Sequence, residues 1–153
     1  MSEFDGFAEL RKPIDLVRKL EFDLNRINKS PQDQYAAFDF FVTAEHILDW
    51  LYPDSKKDRE THRSSETLLR ITSHIANGAK HFDAKAGHHK SVIGIEKNRY
   101  VELGYVEEGY FLEPLLLHLT NDEANNLKTD THVEASWLAK MVLEYWKNSD
   151  KIA

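Results

Sequence analysis

Residues 35–51 read YAAFDFFVTAEHILDWL, an unusually apolar stretch of the chain. Apolar side chains cover most of its circumference at the 3.6-residue period of an α-helix. Such a helix lies at the centre of a helical bundle, or between a bundle and a partner. Ser30, Pro31 and Asp33 supply a cap, a first-turn proline and a first-turn acid, and Pro53 ends the helix. The stretch therefore predicts a bundle organised around this second helix.

Amphipathic helices are predicted on both sides of it. The first begins at about residue 7 or 13 and ends near 29, because apolar residues recur there every three or four positions. The third spans about 61–82 and has a narrower apolar face. A capping box at residues 131–134 predicts the start of the last helix.

Residues 91–119 differ in composition from the rest of the chain. β-Branched, aromatic and large apolar residues there are separated by short polar breaks, which predicts two or three short antiparallel strands. A capping box at residues 120–123 predicts a short turn or helix after them. The expected fold is mainly α: one domain over residues 1–153, a four-helix up-down bundle with a small antiparallel β-hairpin or meander insertion (about 91–119) before the last helix.

The composition excludes several classes of protein. The 153 residues include no cysteine, which rules out disulfides, thiolate zinc sites, iron–sulfur clusters and cysteine nucleophiles. The net charge of −6 argues against nucleic-acid binding by the surface as a whole. No apolar run approaches the roughly 18 residues that span a bilayer, and we find no signal-peptide pattern, so we expect a cytoplasmic protein with no membrane partner. Dinucleotide-binding, P-loop and nucleophile-elbow motifs are also missing from the sequence.

A row of polar, chemically capable side chains lies on the third predicted helix. At about 100° per residue, Arg70, His74, Asn77 and His81 fall within roughly 60° of one another, on a face turned away from the apolar residues of that helix. Histidine can act as a general acid or base near neutral pH, and arginine or Lys80 can hold a phosphate. Asn77 can orient an imidazole or donate to an oxyanion. The row therefore permits metal-independent RNA cleavage, and the plain alternative is a solvated helix face.

Two segments carry a resemblance to known proteins. Residues 40–50 read FFVTAEHILDW and residues 75–82 read IANGAKHF. The sequence resembles a family of small, uncharacterised bacterial proteins that carry an aromatic-rich helix ending in Asp-Trp, followed by an Ala-Asn-Gly-x-Lys-His helix. More remotely, it resembles HEPN domains, which are helical bundles that often dimerise. Many HEPN domains are metal-independent ribonucleases of toxin and defence systems.

The HEPN signature is an arginine, then four to six residues, then a histidine, often with a polar residue directly after the arginine. Asn77 and His81 match the polar residue and the histidine, and Ala76 stands where the arginine is expected. Arg70 and His74 supply the two residue types at a spacing one residue too short.

The resemblance implies an RNA- or nucleotide-directed protein, with metal-independent ribonuclease activity in a toxin or defence system as one form of it. It implies a homodimer and requires no cofactor. His81 is the expected acid or base, Asn77 the orienting residue, and Arg70 or Lys80 the cation on phosphate.

Two alternatives remain open at this stage. The first is a non-catalytic module that binds a protein partner through the same helix face or through the aromatic β segment, which contains Tyr100, Tyr105, Tyr110 and Phe111. The second is a metal-binding bundle whose ligands would come from His46, His74, His81 and His88.

Glu45 and Asp49 are carboxylates on the apolar second helix. We interpret them as partly buried groups paired with arginine or lysine of the first helix. The alternative places them beside the polar row of the third helix, where they would orient its histidines.

Overall fold

The computed structural model describes residues 5–82, 89–97 and 114–152 of the chain. Within them lie α1 (Pro13–Lys29), α2 (Gln34–Leu51), α3 (Lys56–Ser65), α4 (Thr67–His81), β1 (Val92–Lys97), β2 (Leu115–Leu119), α5 (Asn121–Leu127), β3 (His132–Glu134) and α6 (Ala135–Lys147). The protein is mainly helical, with a small three-stranded antiparallel sheet. In the described ranges, no helix combines the length and the apolarity needed to cross a membrane.

The central position predicted for the second helix is confirmed. α2 packs against α1, α4 and α6, and its Phe40, Phe41 and Ile47 side chains are fully buried. Its start differs from the prediction, because Asp33 is the N-cap and accepts the backbone N–H groups of Tyr35 and Ala36 at 2.9 and 3.2 Å. Ser30 and Pro31 precede the helix. The carbonyl of Pro31 accepts the N–H of Leu115 at the start of β2, rather than an N–H of the next helical turn.

The prediction of one helix over about residues 61–82 is wrong, because two helices, α3 and α4, lie there. Glu66 adopts an extended conformation (φ −119°, ψ 124°) and separates α3 from α4. The ten residues of α3 contain no apolar side chain and bury none, whereas α4 buries Leu69, Ile71 and Ile75 in the core. The break lets α4 follow its apolar face into the core while α3 stays on the surface, beside α2 and α4.

The sheet has the strand order β1-β2-β3. Two or three strands are predicted in 91–119, and β1 and β2 are two strands of the described residues there. Tyr100, Tyr105, Tyr110 and Phe111, singled out in the same segment, lie outside the described residues. The prediction that residues 131–134 cap the last helix is wrong, because His132–Glu134 pair with β2 as β3 and α6 begins at Ala135. Val133 points into the core between two exposed neighbours, so the segment follows the period-two pattern of a strand.

A buried carboxylate joins the sheet to the helices. Thr120 caps α5 as predicted, and it accepts the backbone N–H of Glu123. The Glu123 carboxylate accepts two hydrogen bonds from Arg70 of α4, both at 3.0 Å, and one each from Ser91 at 2.7 Å and Asn126 at 2.8 Å. Burial raises the pKa of Glu123, but these hydrogen bonds outweigh it and hold the pKa below its usual value.

Replacing Glu123 with alanine should lower the free energy of unfolding by about 2–3 kcal/mol, because the Arg70 and Ser91 donors lose a buried acceptor. Glu21→Ala is the matched control, since Glu21 forms a largely exposed ion pair with Lys147 and should cost less than about 1 kcal/mol. Urea unfolding of the three proteins measures both effects. Equal stability losses in the two variants would contradict a structural role for the Glu123 network.

Candidate functional site

A polar cleft of about 590 Å³ lies between α2, α3 and α4. Its charged residues have both signs, with Glu45, Asp49 and Glu60 against Lys56, Arg63 and Lys80. The remaining lining residues are Phe38, Val42, His46, Ser73, Ala76, Asn77 and His89. A concave surface lined by three carboxylates and three cations suits a polar or charged ligand.

The Glu45–Arg63 pair occupies the inner part of the cleft. Glu45 is 9% exposed, and its Oε1 lies 2.6 Å from Nη2 of Arg63. Burial raises the pKa of Glu45 to about 7, against the opposing effects of the Arg63 charge and a hydrogen bond from Ser73. The carboxyl group therefore exchanges a proton near neutral pH, which is a property of general acids and bases.

Arg63 retains hydrogen-bonding capacity beyond this pair. Its Nε is buried and has no hydrogen-bond partner among the described residues. A guanidinium presents five donors in one plane, so a single carboxylate does not satisfy it. The Arg63 side chain is also 19% exposed, so an anion in the cleft can contact part of it.

The partners predicted for Glu45 and Asp49 are wrong in one respect. Both carboxylates pair with α3, Glu45 with Arg63 and Asp49 with Arg59 at 3.4 Å, rather than with the first helix. Lys19 and Arg26 of α1 are already paired, because the buried Asp23 binds Lys19 at 2.6 Å and Arg26 at 3.0 Å, and Arg26 also binds Asp39 of α2 at 2.8 Å.

The side chains of the polar row predicted on residues 70–81 do not share one site, because each contacts a different part of the structure. Arg70 is held by Glu123, by the carbonyl of Ser64 at 2.6 Å and by the hydroxyl of Thr67 at 2.9 Å. It lines a smaller pocket of about 340 Å³ beside the polar cleft, and Arg63 lines both. Arg70 is thus primarily a structural link, with one edge near the cleft.

His74 connects α4 to the sheet. Its Nδ1 accepts the backbone N–H groups of Ser91 at 3.2 Å and Val92 at 3.0 Å, and its ring stacks on that of His89 with 5.3 Å between centroids. Two donors at Nδ1 assign the proton of the neutral ring to Nε2. His74 therefore positions the start of β1.

Asn77 of the row and the neighbouring Lys80 line the polar cleft. The Asn77 amide donates to the carbonyl of Ser73 at 2.8 Å, and Lys80 is exposed. His81 is exposed at the end of α4 and lines neither the polar cleft nor the two pockets beside it.

An apolar groove of about 630 Å³ lies on the other side of α4, between that helix, α2 and the sheet. Phe38, Phe82, Ile93 and Ile95 line it and are exposed. The polar cleft and this groove lie on either side of α4, and Phe38 lines both.

The histidines proposed as metal ligands are not brought together. His46, His74 and His81 belong to no group of three potential ligands in the described part of the chain, and His88 lies outside it. The group that does form there consists of Glu96, His118 and His132, on the sheet. The sequence did not predict this group because its residues belong to three separate strands. The only signal was local: in LLLHL and HVE buried and less buried residues alternate, and each histidine falls on the less buried face of its strand.

Glu45→Gln should change how stability depends on pH. Because folding raises the pKa of Glu45, its contribution to stability is present below pH 4.5 and is lost as pH rises towards 7, by at most about 3 kcal/mol. Glutamine keeps an acceptor for Arg63 but does not titrate. The variant should therefore gain stability relative to wild type between pH 5 and pH 7.5, as measured by urea unfolding, and a difference that does not vary with pH would contradict the raised pKa.

Comparisons with known proteins find no matching family profile, no matching curated protein and no matching solved structure. The geometry of the polar cleft and its neighbours is therefore the ground for a functional inference.

Proposed function

We propose that the chain is a cytoplasmic, HEPN-like, RNA- or nucleotide-directed protein that binds the phosphate of its ligand in the polar cleft. The observation that carries the proposal is Glu45, a carboxyl group with a pKa of about 7 that shares this cleft with Arg63 and Lys80. A proton-exchanging group beside two cations is the minimum that phosphate-directed acid–base chemistry requires.

The packing of the helices supports an HEPN-like bundle. α1, α2, α4 and α6 pack against one another around a shared core, with α2 in contact with the other three. In this proposal α3 and the sheet are additions to a four-helix, up-down core. α3 then closes the cleft and supplies Arg63.

The proposed activity is metal-independent cleavage of RNA, in a toxin or defence system. The Glu45 carboxylate takes the proton of a ribose 2′-hydroxyl, the 2′-oxygen attacks the adjacent phosphorus, and the 5′-oxygen leaves with a proton. Arg63 and Lys80 neutralise the phosphate, and Asn77 donates to one of its oxygens. The products are a 2′,3′-cyclic phosphate and a 5′-hydroxyl.

His81 is the proposed donor of the leaving-group proton. It follows Lys80 directly and is exposed at the end of α4. Because it does not line the polar cleft, its side chain must turn towards the phosphate held there when RNA binds. Arg70 and His74 are proposed as positioning residues, because their hydrogen bonds hold α5 and β1 against α4.

The test is RNA cleavage in EDTA with structured and single-stranded substrates. Wild type should cleave, and Glu45→Gln, His81→Ala and Lys80→Ala should each lower the rate at least about tenfold. Lys140→Ala is the matched control for Lys80→Ala, because Lys140 is an exposed lysine of α6 outside the cleft, and it should leave the rate unchanged. Circular dichroism verifies that all variants are folded.

The cleavage and binding results distinguish a ribonuclease that uses Glu45 from a protein that binds RNA or nucleotide without cleaving it. Cleavage that survives Glu45→Gln but not His81→Ala would overturn the role given to Glu45. Binding of a labelled oligonucleotide or nucleotide without cleavage, weakened by Lys80→Ala, would support a non-catalytic ligand site. Absence of both cleavage and binding by wild type would contradict the proposal.

A second candidate function is a protein-interaction module, and the apolar groove favours it. Contiguous exposed apolar surface marks interaction sites on soluble proteins. The groove is lined by Phe82, whose side chain is 99% exposed, and by the exposed Ile93 and Ile95 of β1. We propose a second copy of the chain as the partner, in keeping with an HEPN-like homodimer.

Light scattering after size-exclusion chromatography tests the homodimer. Wild type should have twice the 17.8 kDa chain mass, and Phe82→Glu should return it to the monomer mass because a charge would be buried at the interface. Phe22→Glu is the matched control, since Phe22 is 65% exposed on α1 and does not line the groove. A monomeric wild type would contradict the homodimer.

A further inference from the structure

The outer face of the sheet gathers three potential metal ligands. Glu96 of β1, His118 of β2 and His132 of β3 each place one nitrogen or oxygen atom within 4.8 Å of those of the other two. His118 is half-buried, and Glu96 and His132 are exposed. The three residues lie on the face of β2 opposite to its buried leucines, away from the helices.

A β-bulge places Glu96 on this face. Val92 pairs with Leu119 and Gly94 pairs with His118, so β1 has one extra residue between these two pairs. Without the extra residue, Glu96 would pair with Leu115 and point towards the core face. With it, Glu96 pairs with Leu116, whose side chain lies on the same face as that of His118.

The two histidines are held against each other across β2 and β3. His118 pairs directly with His132, and their rings stack with 4.1 Å between centroids and 20° between planes. Leu119 donates its N–H to the carbonyl of Thr131, so the next pair along, His118 and His132, occupies a non-hydrogen-bonded position, where side chains come closest.

The neighbouring positions leave room beside the histidines. Gly94 lies opposite His118 on β1, and a Cβ atom added there would meet nothing within 4 Å. The hydroxyl of Thr131 lies 3.3 Å from Nδ1 of His132 and provides the second ring contact that a ligating histidine commonly makes.

We propose that Glu96, His118 and His132 bind a divalent transition-metal ion of the zinc class. Two imidazoles and one carboxylate are a ligand set that Zn²⁺ accepts, with the fourth position left to water. The ion joins all three strands at one point and is separate from the polar cleft, so this site is independent of the proposed RNA- or nucleotide-directed function. Its role is to fix β1 and β3 to β2 on the outer face of the sheet.

Competition with a chromophoric zinc chelator, using Zn²⁺ as the only added metal, tests the site. Wild type should bind one Zn²⁺ per chain, and its melting temperature should rise with zinc concentration. His118→Ala, His132→Ala and Glu96→Gln should each weaken zinc binding at least about tenfold. Since all three residues are on the surface-facing side of the sheet, the variants should remain folded by circular dichroism.

Two matched controls distinguish this site from general zinc binding by exposed side chains. His46→Ala removes an exposed histidine of α2, and Glu134→Gln removes an exposed carboxylate of β3 that is not part of the cluster. Both should bind Zn²⁺ as wild type does. No zinc binding by wild type, or undiminished binding by the double variant His118→Ala/His132→Ala, would overturn the proposal.

Discussion

The broad apolar surface of α2 is the main constraint on the fold. It must be enclosed over much of the helix circumference, and α1, α4 and α6 supply that enclosure, while Tyr35, Phe38 and His46 remain exposed. Fully buried Phe40, Phe41 and Ile47 give the helix a fixed place, because close-packed interiors tolerate little displacement. The positions of the other helices, and through them of the polar cleft, follow from this requirement.

Glu45 is a buried charged residue on this largely apolar helix, and its environment shows how the fold makes a chemically distinct site. A carboxyl group on the side of α2 that faces α4 loses water on folding, and it keeps a charge partner because α3 brings Arg63 to it. The break at Glu66 allows this, since it separates the polar α3 from the core-forming α4. The same break that leaves the core intact therefore completes the cleft.

The sheet depends on two further constraints. The Glu123 carboxylate holds α4, α5 and the residue before β1 together, and His74 accepts two backbone N–H groups from the beginning of β1. The bulge that follows then decides which side chains of β1 face the helices and which face outwards. Arg70 and His74, which the sequence presents as candidates for chemistry, thus build the scaffold. The outer face of the sheet brings together three potential metal ligands from three strands.

The residue pattern predicted the mainly helical class, the central place of α2, the strands β1 and β2 and the cap of α5 at Thr120, and it left the start of α1 open between residues 7 and 13. These features depend on periodicity and on local capping, which are properties of neighbouring residues. The tertiary structure was needed for the break at Glu66, the pairing of residues 132–134 as a strand, the Glu45–Arg63 pair and the Glu96–His118–His132 cluster. The break depends on how α4 packs into the core. The other three depend on which distant residue pairs with a buried charge or lies on the neighbouring strand, and sequence spacing does not contain that information.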